Sequence, residues 1–167
     1  MLQTGFPAIL HRSTTTLVLG SMPGRESLAR NEYYAHARNA FWPIVAAIAG
    51  VELPSNYEAR LAVLKAQKIG LWDVIGRCER AGSLDSANVE SSVQVNDFAR
   101  LFCEFPNICR VLFNGNKAAD IFNRHVKRHG TFTDRPITYF CLPSTSPAHA
   151  GMRFEGKLTL WRQALTH

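Results

Sequence analysis

Four short apolar runs punctuate this chain: TLVLG (Thr16–Gly20), IGLWDVI (Ile69–Ile75), ICRVLF (Ile108–Phe113) and PITYFCL (Pro136–Leu142). Each is about the length of a strand and apolar at successive positions, the pattern of a strand covered on both faces. The stretches between them carry apolar residues at helical spacing. Helices are expected over Phe41–Ala49, Ser55–Lys68, Val95–Phe105, Lys117 to about His129, and Glu155–Leu165. Asn39 and Ser55 stand where caps belong, and Pro43 is tolerable in a first turn. Strands alternating with helices close into a parallel sheet with right-handed crossovers. The expected fold is therefore α/β, a three-layer α/β/α with a central, mainly parallel four-stranded sheet. No repeat, low-complexity tract or linker divides the chain, so residues 1–167 are expected to form a single domain.

In such sheets the ligand crevice lies beyond the carboxyl ends of the strands. That places three loops on one rim: Gly20-Ser21-Met22-Pro23-Gly24, the Asn114-Gly115 turn, and Pro143–Gly151 (PSTSPAHAG). The first follows a strand as a phosphate loop would. It lacks the lysine and hydroxyl of a P-loop and does not match the dinucleotide fingerprint, which disfavours nucleotide binding. Its Pro and Gly instead suit a tight turn whose backbone meets a ligand. The stretch Tyr33–Trp42 (YYAHARNAFW) then gathers aromatic, basic and amide side chains. Aromatic faces stack on bases, amides read base edges, and Arg or His meets phosphate. Phe41 and Trp42 are expected in the core, and Tyr33 and Tyr34 in a pocket wall.

Charge agrees with such a partner. Nineteen Lys and Arg against thirteen Asp and Glu leave a formal +6, which favours a polyanion through counterion release. No apolar run approaches the ~20 residues that span a bilayer, and Met1 to Arg12 does not follow the order of a signal peptide. The expected location is cytoplasmic. Cys78, Cys103, Cys109 and Cys141 form no CxxC pair, so neither a metal nor another cofactor is expected, and the thiols are expected reduced in the interior.

The ordered set Gly20–Gly24, Tyr34-Ala35-His36 with Asn39 and Phe41-Trp42, Phe113-Asn114-Gly115, and Pro143-Ser144-Thr145-Ser146 resembles the uracil-DNA glycosylase superfamily from Thr16 to Trp161. Its mismatch-specific and thymine-DNA glycosylase branches carry a G-x-N-P-G loop whose Asn positions the attacking water. Here Met22 takes that place, and a thioether cannot orient water. The pairing of G-S-M-P-G with Y-Y-A-H-x-R-N-A-F-W resembles the hypoxanthine-DNA glycosylase branch. The resemblance implies a monofunctional glycosylase acting on double-stranded DNA, most simply as a monomer, that flips a deaminated base and hydrolyses its N-glycosidic bond. It implies Asn39 as the catalytic residue, with Gly20, Ser21, Met22, Pro23, Gly24, Tyr34 and Asn114 around the base. Tyr34 matches the aromatic on which the base stacks. Ser144, Thr145, Ser146, Pro147, Ala148 and His149 match the loop that enters the minor groove.

Alternative roles stand beside these. Asn39 could only cap the helix at Phe41, and Tyr34 could be an aromatic at a helix start. His149 could stabilise the leaving base or contact phosphate. His36 could be structural, and Asp73 could face the site or cap backbone. His125, Lys127, Arg128 and His129 suit a solvated helix C-terminus. A mismatch-specific uracil-DNA glycosylase, a lesion-binding module without catalysis, and a nucleotide-binding protein are the competing functions.

Overall fold

The computed structural model describes residues 1–80, 88, 90–130 and 133–166. Its elements are β1 (Leu2–Thr4), β2 (Thr16–Gly20), α1 (Arg25–Arg30), α2 (Phe41–Ala49), α3 (Tyr57–Ala66), β3 (Ile69–Asp73), β4 (Ile75–Glu79), β5 (Gln94–Val95), α4 (Phe98–Glu104), β6 (Arg110–Asn114), α5 (Asn116–His125), β7 (Thr138–Leu142) and α6 (Phe154–Thr166). Strands β3, β2, β6 and β7 form a four-stranded sheet in that order, and every neighbouring pair is parallel. The expected three-layer α/β/α architecture is the one observed.

The apolar runs explain the layers. Along β2, Leu17 and Leu19 face one core and Val18 the other; along β6, Val111 and Phe113 oppose Leu112. One core takes Phe98 and Phe102 from α4 with Ile121 and Phe122 from α5. The other takes Phe41 and Ile44 from α2, Leu64 from α3 and Trp161 from α6. Phe41, Phe98, Phe122 and Trp161 are fully buried, and burying such side chains contributes on the order of 2–3 kcal/mol each.

The structure departs from the expected elements in ways with local causes. The Ile69–Ile75 run divides at Val74, because the Val74 and Ile75 amides donate to the carbonyls of Gly20 and Ser21 at 2.9 and 3.0 Å. The chain leaves the parallel sheet there and enters a small antiparallel sheet, β1-β4-β5. Helix α4 starts at Phe98 rather than Val95, capped by Asp97, whose carboxylate accepts from the Arg100 amide at 3.0 Å. The preceding Asn96 is held by the β3–β4 junction: its amide nitrogen donates to the Val74 carbonyl and its side chain to that of Asp73. Helix α5 stops at His125, followed by a 3-10 turn over Lys127–His129. Helix α1 had no periodic signal. Only Cys78 lies in the interior; Cys103, Cys109 and Cys141 are exposed, since they sit on outward positions of α4, the loop before β6 and β7.

The cap of α3 is Asn56, not Ser55: the Asn56 side chain accepts from the Ala59 amide at 2.7 Å. Asn56→Ala should therefore lower unfolding stability by about 1 kcal/mol in urea titration, with Ser55→Ala near neutral. The reverse order would return the cap to Ser55.

Candidate active site

The carboxyl ends of β2, β3 and β6 stop at Gly20, Asp73 and Asn114, and the loops that follow enclose a cleft of about 580 Å³. Gly20, Ser21, Met22, Pro23, Gly24, Tyr34, Asn39, Asn114 and all of Ser144, Thr145, Ser146, Pro147, Ala148 and His149 line it. His36 and Asp73 line it too. Every residue expected at the site is thus brought to one cavity, although not every side chain faces it in the expected manner.

Two hydrogen bonds organise the rim. The Asn114 side chain donates from Nδ2 to Thr145 Oγ1 and accepts on Oδ1 from the Thr145 amide, both at 2.9 Å. Thr145 in turn accepts on its carbonyl from the Ala40 amide at 2.9 Å. Thr145 is 1% exposed, so its hydroxyl serves the protein interior. Gly115, at φ +98°, lies against Ser144, where a Cβ would come within 3.1 Å of the Ser144 Cβ. Inside the last loop, Ser144 Oγ accepts from the Ser146 amide and Ser146 Oγ from the Ala148 amide, each at 3.2 Å. Lys157 on α6, buried, donates from Nζ to the His149 carbonyl at 2.9 Å, and burial lowers its pKa.

Asn39 reaches the cleft from the turn before α2. Its Oδ1 accepts from the Phe41 amide at 2.9 Å, and its own amide donates to the His36 carbonyl. It serves the first turn of α2 although Ala40 is the formal cap position. The carbonyl oxygen retains a second lone pair and the amide nitrogen two donors. His36 Nδ1 accepts from the Arg38 amide at 3.1 Å, so this histidine also shapes the turn.

Met22 points into the core. It is 7% exposed, and the buried Cys78 thiol donates to its Sδ at 3.1 Å. The side chain anchors the first loop from below, where a polar residue would have to be solvated. Arg80, also buried, holds the same loop by donating to the Pro23 carbonyl and, at 2.9 Å, to Gln3 Oε1.

Tyr33 lines the cleft as expected, although it is largely buried, its hydroxyl donating to the Pro7 carbonyl at 3.0 Å. Tyr34 adopts φ +55°, unusual for a bulky residue and frequent where a site demands it. Its ring centroid lies 4.2 Å from that of Phe41 at an interplanar angle of 34°. Its hydroxyl makes no hydrogen bond among the described residues. Burial chiefly, and then the charge of Asp73, raise its pKa; the Asn114 amide pulls the other way without reaching hydrogen-bond geometry. The phenol is therefore neutral and a donor at physiological pH.

Several cleft residues were not anticipated: Arg25, Glu26 and Ser27 of α1, and the supports Arg80 and Lys157. Of these, Lys157 had a readable signal, since it shares the buried face of α6 with Trp161 and Ala164. The basic helix end is solvated as expected, with Lys127, Arg128 and His129 exposed; Arg124 and His125 approach Glu90, and the Lys127 ammonium sits 3.8 Å from the Tyr139 ring centroid. Among the described residues no three His, Cys, Asp or Glu side chains gather as a metal site, and no helix is long and apolar enough to cross a membrane.

Residues 8–165 match the profile of the uracil DNA glycosylase superfamily. The chain is 40% identical over 121 residues to a protein named hypoxanthine DNA glycosylase from Methanosarcina barkeri, covering 72% of this chain and 75% of that one. It is similar to a Methanosarcina acetivorans protein of the same name at the same identity and coverage. The solution NMR structure of a Methanosarcina acetivorans protein, described provisionally as a uracil DNA glycosylase, superposes with a TM-score of 0.78 at 33% identity, covering 100% of both chains.

The reciprocal Asn114–Thr145 pair yields a test. Thr145→Val keeps the volume but leaves the Asn114 amide without its buried acceptor, a loss on the order of 1–3 kcal/mol. Urea unfolding should register it with the m-value unchanged; a neutral result would remove the pair from the organisation of the rim.

Proposed function

The chain belongs to the uracil DNA glycosylase superfamily, and from that premise we propose that it removes hypoxanthine, the deaminated form of adenine, from double-stranded DNA as a monomer. The reaction class is hydrolysis of an N-glycosyl bond, leaving an abasic site. Two of its relatives carry the name hypoxanthine DNA glycosylase. The observation that carries the reading is the placement of Asn39 on a cleft whose first loop offers Met22, turned into the core, where a water-holding amide would otherwise stand.

The chemistry asks little of the protein beyond placement. The C1′–N bond is inaccessible in a stacked duplex, so the nucleotide is extruded first. As the bond breaks, the sugar gains oxocarbenium character and the departing base gains negative charge. Preorganised donors aimed at that charge, and a water held on the opposite side, lower the barrier. In this proposal Asn39 holds the water through its amide. The backbone of Gly20–Gly24, with Tyr34 and Asn114, walls the base. The 144–149 loop, pinned by Lys157 through the His149 carbonyl, meets the DNA backbone and fills the vacated stack. Arg25 lines the cleft, and Arg38 lines an adjoining hollow that shares Asn39 and Ser146, which sets positive charge where phosphates approach.

Single-turnover base release tests both parts. Duplexes carrying deoxyinosine should lose their base much faster than duplexes carrying deoxyuridine, and the opposite order would replace hypoxanthine by uracil as the substrate. Asn39→Ala should slow release by ~10²-fold or more and, because Phe41 loses its acceptor, cost about 1 kcal/mol of stability. Asn39→Asp keeps that acceptor and should melt near wild type while retaining only part of the rate. Release by Asn39→Ala at the wild-type rate would reduce Asn39 to a cap.

A further inference from the structure

The excess of positive charge does not sit where the base is handled. The Lys, Arg, Asp and Glu side chains lining the cleft are Arg25, Glu26 and Asp73, and the adjoining hollow adds Arg38 and Lys157. That is near balance, whereas the whole chain carries a formal +6. The surplus gathers at the opposite end of the sheet. We propose that the amino ends of the strands form a second nucleic-acid surface, which holds the phosphate backbone of another DNA segment while the cleft is on its substrate. This rests on DNA as the substrate and not on which base is removed.

Backbone contacts gather the cations there. The Asn107 side chain donates to the Arg12 carbonyl at 2.8 Å and the Thr15 amide to the Lys68 carbonyl at 2.9 Å, which joins the turns that enter β2, β3 and β6. Lys65, in the last turn of α3, accepts on its carbonyl from the Lys68 amide at 3.0 Å. Arg110, the first residue of β6, donates to the Leu165 carbonyl near the end of α6 at 3.0 Å. Lys127 and Arg128 follow α5, and the Lys127 ammonium over the Tyr139 ring sets them beside the start of β7. Arg12, Lys65, Lys68, Lys127 and Arg128 are exposed, and none has an ion-pair partner among the described residues. Arg135 adds its charge while donating to the Phe102 and Ile108 carbonyls. Of the acids nearby, Glu90 and Glu104 are engaged by Arg124 and Arg100 at 2.5 and 2.7 Å, which leaves Asp134.

Helix dipoles explain part of this clustering and not all of it. The C-termini of α3, α4, α5 and α6 lie at this end, and cations favour such termini; together these helix ends amount to on the order of −2. The exposed cations, with Arg110 and Arg135, outweigh Asp134 by considerably more. They are spread over the entries to four strands about 4.8 Å apart, roughly 15 Å in all. That fits a row of duplex phosphates rather than a single small anion. A five-residue strand such as β2 is about 16 Å long, so a straight duplex seated on the carboxyl rim does not reach them. With two faces, one molecule takes hold of a second segment before it releases the first, and so passes between segments of DNA.

A capture assay on the full chain tests this. A tethered duplex carrying 2′-fluorinated deoxyinosine occupies the cleft, and uptake of a second, labelled, undamaged duplex by the loaded protein is measured against salt. Wild type should recruit it with an affinity that falls steeply as salt rises. The combined variant Arg12→Gln, Lys68→Gln, Lys127→Gln and Arg128→Gln should recruit it more weakly by ~10-fold or more, with a log–log salt slope shallower by about three to four. Its loading on the tethered duplex and its single-turnover base release should change little, which also shows that it folds. Arg38→Gln should do the reverse, loosening loading while recruitment per loaded molecule stays the same. No recruitment by loaded wild type, or equal recruitment by the combined variant, overturns the assignment. Uptake of polyglutamate in place of duplex would give the face to an acidic protein and overturn it as well. If the protein does not load on the tethered duplex at all, the reading of the cleft falls and this inference with it.

Discussion

The reciprocal pair between Asn114 and Thr145 is the contact on which the cleft depends. A strand end has only its own carbonyls and amides to offer, and the loops beyond β2, β6 and β7 would otherwise be separate excursions. Asn114, the last residue of β6, spends both halves of its amide on Thr145, and the Thr145 carbonyl receives the Ala40 amide next to Asn39. The turn that holds Asn39, the end of β6 and the loop expected to enter DNA are thereby one hydrogen-bonded unit. Catalysis by a neutral amide, as proposed for Asn39, would rely on preorganisation more than on basicity, and this unit supplies it.

The first loop is secured by different means. Met22 enters the core against Cys78, Arg80 grips the Pro23 carbonyl, and the Gly20 and Ser21 carbonyls receive amides from Val74 and Ile75. One departure from the parallel sheet, the break at Val74, serves two ends: it ties down the loop and leaves Asp73 at the rim. A polar residue in place of Met22 could not fill the same apolar socket. The side chain that anchors this loop to the core is thus one that cannot orient water.

Much of this was legible in the sequence. Runs such as TLVLG are apolar at consecutive positions because β2 is covered on both faces, and that pattern alone sets the parallel sheet and its rim. The rim loops followed from the chain order of the strands. What resisted was either too short or too dependent on distant partners. Helix α1 has six residues and no stripe. Ile69–Ile75 is continuous in hydrophobicity while its backbone changes sheets, since the break is dictated by carbonyls of another loop. Thr145 and Asn114 read as groups offered to DNA and to a base, and both line the cleft, but the hydrogen bonds that join them across 31 residues of chain depend on the fold. Ser55 and Asn56 rank alike as caps, and the hydrogen bond from the Ala59 amide to the Asn56 side chain, which depends on the folded turn, separates them.

The central claim is that the flipped base enters the cleft at the carboxyl rim of the sheet, against Asn39. It is tested most directly by amide chemical shifts of the labelled protein on titration with a duplex carrying a 2′-fluorinated deoxyinosine, which resists glycosidic cleavage. The account predicts that the largest shifts fall on Gly20–Gly24, Asn39, Asp73, Asn114 and the 144–149 loop, and that they exceed those produced by an undamaged duplex of the same sequence. Shifts confined to the exposed basic end of α5 and its 3-10 turn, with the rim unmoved, would contradict it.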